Sequence, residues 1–146
     1  MDPQNIKALL QKLNPTMARA MEAAAGACIQ RTHFEISVEH LLLKLLDLRR
    51  GDVSVIFEAL SLPEDGIRAA LETSLGRLNE GNNARPKLSQ TLLESLQNAW
   101  QFGSLELGAS KLRSGHFLVA LLRDSGWVGA QAVPALQQID DRQLVQ

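Results

Sequence analysis

The side chains best suited to acid–base or metal chemistry are three histidines and one cysteine. Two of the histidines, His40 and His116, lie in similar leucine-rich stretches, EHLLLKLLD and GHFLVALLRD. An imidazole in such a place could ligate a metal ion or act as a general base. Neither histidine has a cysteine or carboxylate near it at the spacing of a metal-binding motif. We therefore expect two packing histidines whose ring nitrogens form hydrogen bonds.

Cys28 and His33 are five residues apart and could form a nucleophile–base pair. Cys28 lies among alanines on a predicted helix, however, and buried cysteines of this kind are usually inert. The tripeptide Arg50-Gly51-Asp52 spells a cell-adhesion signal, but it also suits the end of one helix, a turn and the cap of the next. The sequence contains no GxxxxGK[ST] loop, GxSxG elbow or HExxH motif. It therefore predicts no catalytic residue, metal site or cofactor site in this chain.

The composition indicates one globular domain that does not bind nucleic acid. A chain of 146 residues with 45% hydrophobic residues can form a core without disulfides. Fifteen basic and sixteen acidic residues give a net charge of -1, so no basic surface for nucleic acid or an anionic membrane is expected. A single cysteine favours a reducing compartment. The sequence shows no signal peptide and no apolar run long enough to span a bilayer, so we expect a cytoplasmic protein.

Helices are the elements predicted to position these side chains, because leucine and alanine dominate and no segment alternates as a strand does. A short first helix, opened by Asp2-Pro3, carries one apolar stripe. Asn14-Pro15 opens a second helix that runs to about Gln30. The remaining predicted helices begin at Ser37, Asp52, Pro63 and Ser89, within the second leucine-rich stretch, and near Ala132, where Leu136, Ile139 and Leu144 follow. The polar segment Gly81–Pro86 is predicted to be a loop.

The two halves of the chain form a repeat. His40 and His116 are 76 residues apart, and an offset of 76 also relates Ile36/Leu112, Leu42/Leu118, Leu45/Leu121, Leu46/Leu122 and Leu60/Leu136. Further upstream the offset is 75, in Leu13/Leu88, Met17/Leu92, Met21/Leu96 and Ala24/Ala99. One connection is therefore a residue longer in the second half. We predict a duplicated all-α bundle of roughly four helices per half around one shared core.

This paired repeat resembles the N-terminal domain of the Clp/Hsp100 AAA+ chaperones over essentially the whole chain. Within that family it is most similar to the ClpV (TssH) group of the bacterial type VI secretion system. The narrower resemblance lies in LNPTMARAMEAAAGACIQRTHFEISVEHLLLKLLD, RPKLSQTLLESLQNAW and KLRSGHFLVALL. It implies a Clp N-domain over 1–146, with an added helix at 1–13, repeat one at 13–79, a linker at 80–87 and repeat two at 88–146.

The resemblance also implies what the chain does. Full-length members carry two ATPase modules that bind ATP and Mg and assemble into hexamers, so we expect this chain to be a non-enzymatic, monomeric docking fragment. Its implied partner is an N-terminal helix of the large sheath subunit (TssC/VipB type). Binding of that helix would let the ATPase disassemble the contracted sheath in the bacterial cytoplasm.

The stripe on the first helix has no counterpart in the second half other than the linker. It could simply cap the core, or it could form one wall of a hydrophobic groove for an amphipathic helix. The predicted groove residues are Ile6, Leu9, Leu10 and Leu13 on one wall and Leu88 and Leu92 on the other. Leu88 occupies a place where the family often has a larger aromatic residue, which would change the shape of the groove.

Three alternatives stay open. The first is the N-domain of a general ClpB-type disaggregase or protease-associated unfoldase, which contacts unfolded substrates or adaptors. The second is a stand-alone enzyme, which the missing motifs disfavour. The third is a structural adaptor that belongs to no ATPase.

Overall fold

The computed structural model describes residues 3–48, 52–59, 61 and 64–123, and these residues are mostly helical. The elements in chain order are α1 (Pro3–Leu10), α2 (Pro15–Gln30), β1 (Glu35–Ile36), α3 (Val38–Leu46), α4 (Asp52–Ala59), α5 (Glu64–Gly76), β2 (Lys87–Leu88), α6 (Gln90–Gln101), a π-helix (Phe102–Glu106) and α7 (Ser114–Arg123). The all-α prediction is confirmed; the two strands of two residues each are too short to alternate visibly. Asp2, Pro63, Leu60 and the predicted helices from Ala132 onward lie outside the described residues.

Most of the predicted helix starts are correct because the capping side chains bond as expected. The Asn14 side chain accepts a hydrogen bond from the Met17 amide at 2.8 Å, and Pro15 follows as the first helical residue. The Ser89 hydroxyl accepts one from Leu92 at 3.1 Å. Asp52 is an exception: it was predicted to cap α4, but it is the first residue of that helix. Asp is favoured at both positions, which explains the one-residue error.

Helix α3 is the centre of the core. Eight of its nine residues are buried, with Lys44 the one partly exposed, so this helix is buried on nearly all of its faces. Helix α3 packs against α2 and α5, and α7 packs against α6 as α3 does against α2. The leucine-rich stretch of each half therefore supplies the inner helix of its repeat.

Two backbone pairings relate the halves by a pseudo-twofold axis. In the parallel pair β1–β2, Ile36 pairs with Leu88, and a separate parallel bridge joins Leu13 to Leu112. Because Leu13 is the repeat equivalent of Leu88 and Ile36 that of Leu112, the second pairing is the first with the halves exchanged. Even the hydrogen bonds correspond: Ser89 N–H donates to Ile36 O, and Asn14 N–H donates to Leu112 O, both at 3.0 Å. These pairings confirm the repeat.

The π-helix accounts for the extra residue of the second half. Helix α2 has 16 residues, whereas α6 and the π-helix together span Gln90–Glu106, one residue more. A π-helix accommodates one inserted residue within a helix, and the offset changes from 75 to 76 across this segment. The helical segment that begins at Gln90 therefore continues to Glu106.

Candidate functional site

The surface feature best placed for binding is a cleft between α1 and α6, which are in contact. It measures about 530 Å³ and is lined by Asn5, Ala8, Leu9, Lys12, Gln90, Glu94, Gln97 and Trp100. Lys12 and Trp100 meet where the two helices end: the Lys12 ammonium lies 5.4 Å from the centroid of the Trp100 ring. We refer to this feature as the α1–α6 cleft.

Helix α1 forms one wall of this cleft because its apolar stripe is anchored in the core. Leu9 and Leu13 are each only 7% exposed. The backbone after α1 is held by the second repeat: Leu112 N–H donates to Lys12 O at 2.7 Å, and the Lys111 ammonium donates to Gln11 O at 3.0 Å. An eight-residue helix would be unstable alone, so these anchors keep α1 in place.

The six predicted groove residues divide into two groups. Leu9, Leu13 and Leu92 are buried and belong to the core. Ile6, Leu10 and Leu88 are only partly buried, and Leu10 and Leu88 pack against the edge of the core. Of the six, only Leu9 also lines the α1–α6 cleft. The groove assignment therefore stays a prediction. In that prediction the three buried leucines support the surface from the core, and the three partly buried residues are accessible to a partner.

The α6 wall of the cleft was not predicted from the sequence. Gln90, Glu94, Gln97 and Trp100 fall at helical spacing on one face of α6, so this spacing was the available signal. The wall is amide-rich, and the Gln90 side chain donates to the Glu94 carboxylate at 3.1 Å. Such a surface can bind a helix whose edges are polar.

The histidines are packing residues, as predicted. His40 is 1% exposed, and its Nδ1 accepts a hydrogen bond from the Ser37 amide at 2.9 Å, which completes a capping box at α3. His116 Nδ1 accepts one from the Arg113 amide at 3.2 Å in the equivalent place of α7. Burial lowers the pKa of His40 to about 4, with the positive charges of His33 and Arg31 as further causes. This imidazole is therefore neutral at pH 7.

Cys28 is fully buried, so the prediction of a buried cysteine is confirmed. Its thiol donates to two backbone carbonyls, those of Glu35 at 3.3 Å and His33 at 3.6 Å. Burial raises the pKa of the thiol, which makes it a poor nucleophile.

Within the described part of the chain, no group of three or more histidine, cysteine or acidic side chains is arranged to hold a metal ion. The donor set for Mg and a nucleotide phosphate is likewise not assembled at the α1–α6 cleft, where a single carboxylate, Glu94, faces amides. Over the same residues, none of the helices has the length and apolar character needed to cross a membrane.

The fold is that of a duplicated α-helical domain. Two helical repeats are related by a pseudo-twofold axis and share one core, and each contributes a leucine-rich inner helix. The chain belongs to the Clp repeat (R) N-terminal domain family, whose sequence profile matches residues 12–134. Its relatives are the N-terminal domains of AAA+ ATPases.

Curated relatives match the chain along most of its length. It is 28% identical over 116 residues to the AAA+ ATPase ClpV1 of Pseudomonas aeruginosa and, over the same length, 28% identical to the chaperone protein ClpB of Yersinia enterocolitica. Both alignments cover 80% of this chain and 13% of the relative. The chain therefore spans only about an eighth of the length of these proteins.

Solved structures of ClpV N-terminal domains have the same fold. The N-terminal domain (1-163) of ClpV1 from the Escherichia coli EAEC Sci1 T6SS has a TM-score of 0.89 and 37% identity, covering 97% of this chain and 86% of that one. The complex of a ClpV N-domain with a VipB peptide has a TM-score of 0.86 and 31% identity, covering 95% and 86%.

Proposed function

We propose that this chain is the substrate-docking domain of a ClpV-type AAA+ ATPase of a type VI secretion system. It binds an N-terminal helix of the large sheath subunit, so that the contracted sheath can be disassembled and recycled. In this proposal the chain itself has no enzymatic activity and binds no cofactor. ATP and Mg are bound by ATPase modules of the longer protein, which acts as a hexamer in the bacterial cytoplasm.

The position of α1 carries this proposal. Helix α1 ends at Leu10, before residue 12, where the match to the Clp repeat family begins. The alignment with the E. coli ClpV1 domain covers 97% of the chain, which leaves too few unmatched residues to omit all eight of α1. A helix outside the common repeat but shared with a ClpV domain thus builds one wall of the α1–α6 cleft. A similar ClpV domain has been solved with a VipB peptide.

The energetics suit a reversible contact. Burying three or four apolar side chains contributes roughly 1.5–3 kcal/mol each. After association and ordering costs are subtracted, a net of about -7 to -8 kcal/mol, or micromolar affinity, is reasonable. Contacts of this strength release their partner when it is pulled.

Binding of a labelled VipB-type sheath helix, measured by fluorescence anisotropy, tests the proposal. Leu10→Asp and Leu88→Asp should each weaken binding at least about tenfold, because a charge at a partly buried apolar contact must be desolvated. Ile29→Asp is the matched control: Ile29 is 57% exposed at the end of α2, so binding should be unchanged. Circular dichroism checks that all three variants keep their helicity.

Two outcomes would contradict the proposal. Normal binding by folded Leu10→Asp and Leu88→Asp variants would exclude the predicted groove to which Leu10 and Leu88 belong. Equal affinity for a scrambled helix would favour the general disaggregase N-domain, consistent with the similarity to ClpB.

A further inference from the structure

The end of the α1–α6 cleft formed by Lys12 and Trp100 differs from the rest of its lining. The other polar side chains of the cleft are three amides and Glu94, whose carboxylate accepts a hydrogen bond from Gln90. Trp100 is the one aromatic residue of the lining, and its ring is partly buried against the core. Its position on the fold is therefore fixed, while part of the indole faces the cleft.

Lys12 is a cation that lies over an aromatic ring and forms no ion pair with a described carboxylate. Over the described residues, the ion pairs join Arg31, Lys44 and Arg68 to carboxylates, and Lys12 takes part in none of them. Its ammonium lies over the Trp100 ring instead. The ammonium of Lys111 donates a hydrogen bond to the carbonyl of Gln11, the residue that follows α1. This end of the cleft thus carries positive charge that the described residues leave without a carboxylate.

We propose that Lys12 and Trp100 determine which helix the cleft accepts. The guest is an amphipathic helix that places an apolar side chain on the exposed part of the Trp100 indole and an Asp or Glu beside Lys12. A carboxylate beside Lys12 is partly shielded from water once the guest helix covers the cleft, so its attraction to the ammonium is stronger than that of a fully exposed pair. The inference rests on the proposed function and adds the chemistry by which the partner is chosen.

Single acid-to-amide variants of the VipB-type helix test the charge preference. Each Asp or Glu that flanks the apolar face is changed in turn to Asn or Gln, and affinity is measured for the unchanged chain and for Lys12→Met. At the peptide position that lies beside Lys12, the amide should weaken binding to the unchanged chain by about three- to tenfold. The same amide should have no effect on binding to the Lys12→Met variant. Lys7→Met is the matched control, because Lys7 is exposed on α1 but does not line the cleft; it should keep the preference.

Fluorescence of Trp100 tests the second half of the inference. The chain has two tryptophans, so Trp127→Phe leaves Trp100 as the single reporter. Binding should shift its emission, and Trp100→Phe should weaken all the peptides several-fold by the same factor.

The outcomes separate this inference from the proposed function. If the sheath helix binds but no acidic position loses its effect in Lys12→Met, the charge preference is overturned while the docking function stands. Binding that leaves the Trp100 emission unchanged overturns the indole contact in the same way. If the sheath helix does not bind the unchanged chain at all, both proposals fail.

Discussion

The Nδ1 atom of His33 lies 2.8 Å from the Nε2 atom of His40, and both imidazoles are buried. Since His40 Nδ1 accepts a hydrogen bond from the Ser37 amide, its proton must be on Nε2, which donates to His33 Nδ1. The proton of His33 is then on its Nε2 atom. The protonation of all four ring nitrogens is thereby assigned. An added proton on His33 Nδ1 would face the N–H of His40, and one on His40 Nδ1 would face the amide N–H of Ser37.

We predict that acid destabilises the domain through this pair. The pKa of His40 is lowered from 6.5 to about 4, and burial also lowers the pKa of His33, where Arg31 lowers it further and Glu80 opposes the shift. The unfolded chain therefore binds protons that the folded chain excludes. The stability is present above pH 6.5 and is lost as the pH falls toward 4, by about 3 kcal/mol for His40. Urea unfolding followed by circular dichroism at several pH values measures this loss.

His40→Gln is the control for the pH prediction. Glutamine at this position keeps the capping-box arrangement with Ser37 but does not titrate. The variant should lose less stability between pH 6.5 and 4 than the unchanged chain. The acidic residues are the same in both chains, so the difference reports the missing imidazole of His40. An equal loss would show that His40 does not contribute.

A matched pair of glycine substitutions tests the packing of the π-helix. A Cβ at Gly103 would lie 2.7 Å from Nδ1 of the buried His116, whereas one at Gly26, within α2, would meet nothing within 4 Å. Gly103→Ala should therefore cost about 1–3 kcal/mol. Gly26→Ala should stabilise the fold by about 0.5–1 kcal/mol, because alanine favours the helix. Thermal unfolding compares them, and shifts of the same sign would contradict the prediction.

Replacing Ser95 with alanine should stabilise the fold. Its hydroxyl oxygen is buried and has no hydrogen-bond partner among the described residues. Its repeat equivalent is Ala20, also buried. Ser95→Ala should raise the free energy of unfolding by about 1 kcal/mol, since a desolvated, unpaired hydroxyl is removed. Denaturant titration measures the change, and a loss above 1 kcal/mol would reveal a partner for this hydroxyl.

Deleting one residue from the π-helix should be tolerated. Leu105 is 82% exposed, and without it the second half would have the helix length of α2. Deleting Ala27 from α2 instead rotates all following helical residues by about 100° and displaces Cys28 from the core. We expect a loss below about 2 kcal/mol for the first deletion and unfolding for the second. Similar melting temperatures for both chains would disprove the assignment of the inserted residue.

The sequence predicted the repeat well because buried apolar residues carry the periodicity. The equivalence of Leu13 with Leu88 and of Ile36 with Leu112 relates the two backbone pairings to each other, although neither pairing was predicted. The offset change revealed an extra residue but not its location, since a π-helix has no distinct composition. The burial of His33 depends on its contact with His40, which local sequence patterns do not encode.

The cleft was harder to predict for a physical reason. The apolar stripe of α1 marks the side that the helix buries, so Leu9 and Leu13 hold it in the core. The surface left facing a partner is formed by its flanks and by the polar face of α6. Apolar periodicity cannot identify Lys12, Gln97 or Trp100 as neighbours, because their proximity arises only when the two halves assemble.

The pseudo-twofold axis has a consequence for stoichiometry. The place that α1 takes beside α6 corresponds, beside α2, to the linker at 80–87. There Gly81 and Asn82 donate backbone hydrogen bonds to the side chain and carbonyl of Thr32, at 2.9 and 3.0 Å. A symmetric core thus carries unlike flanks, and over the described residues the α1–α6 cleft has no equivalent formed by a helix beside α2. Under the proposed docking function, avidity toward a polymeric sheath therefore requires several chains acting together.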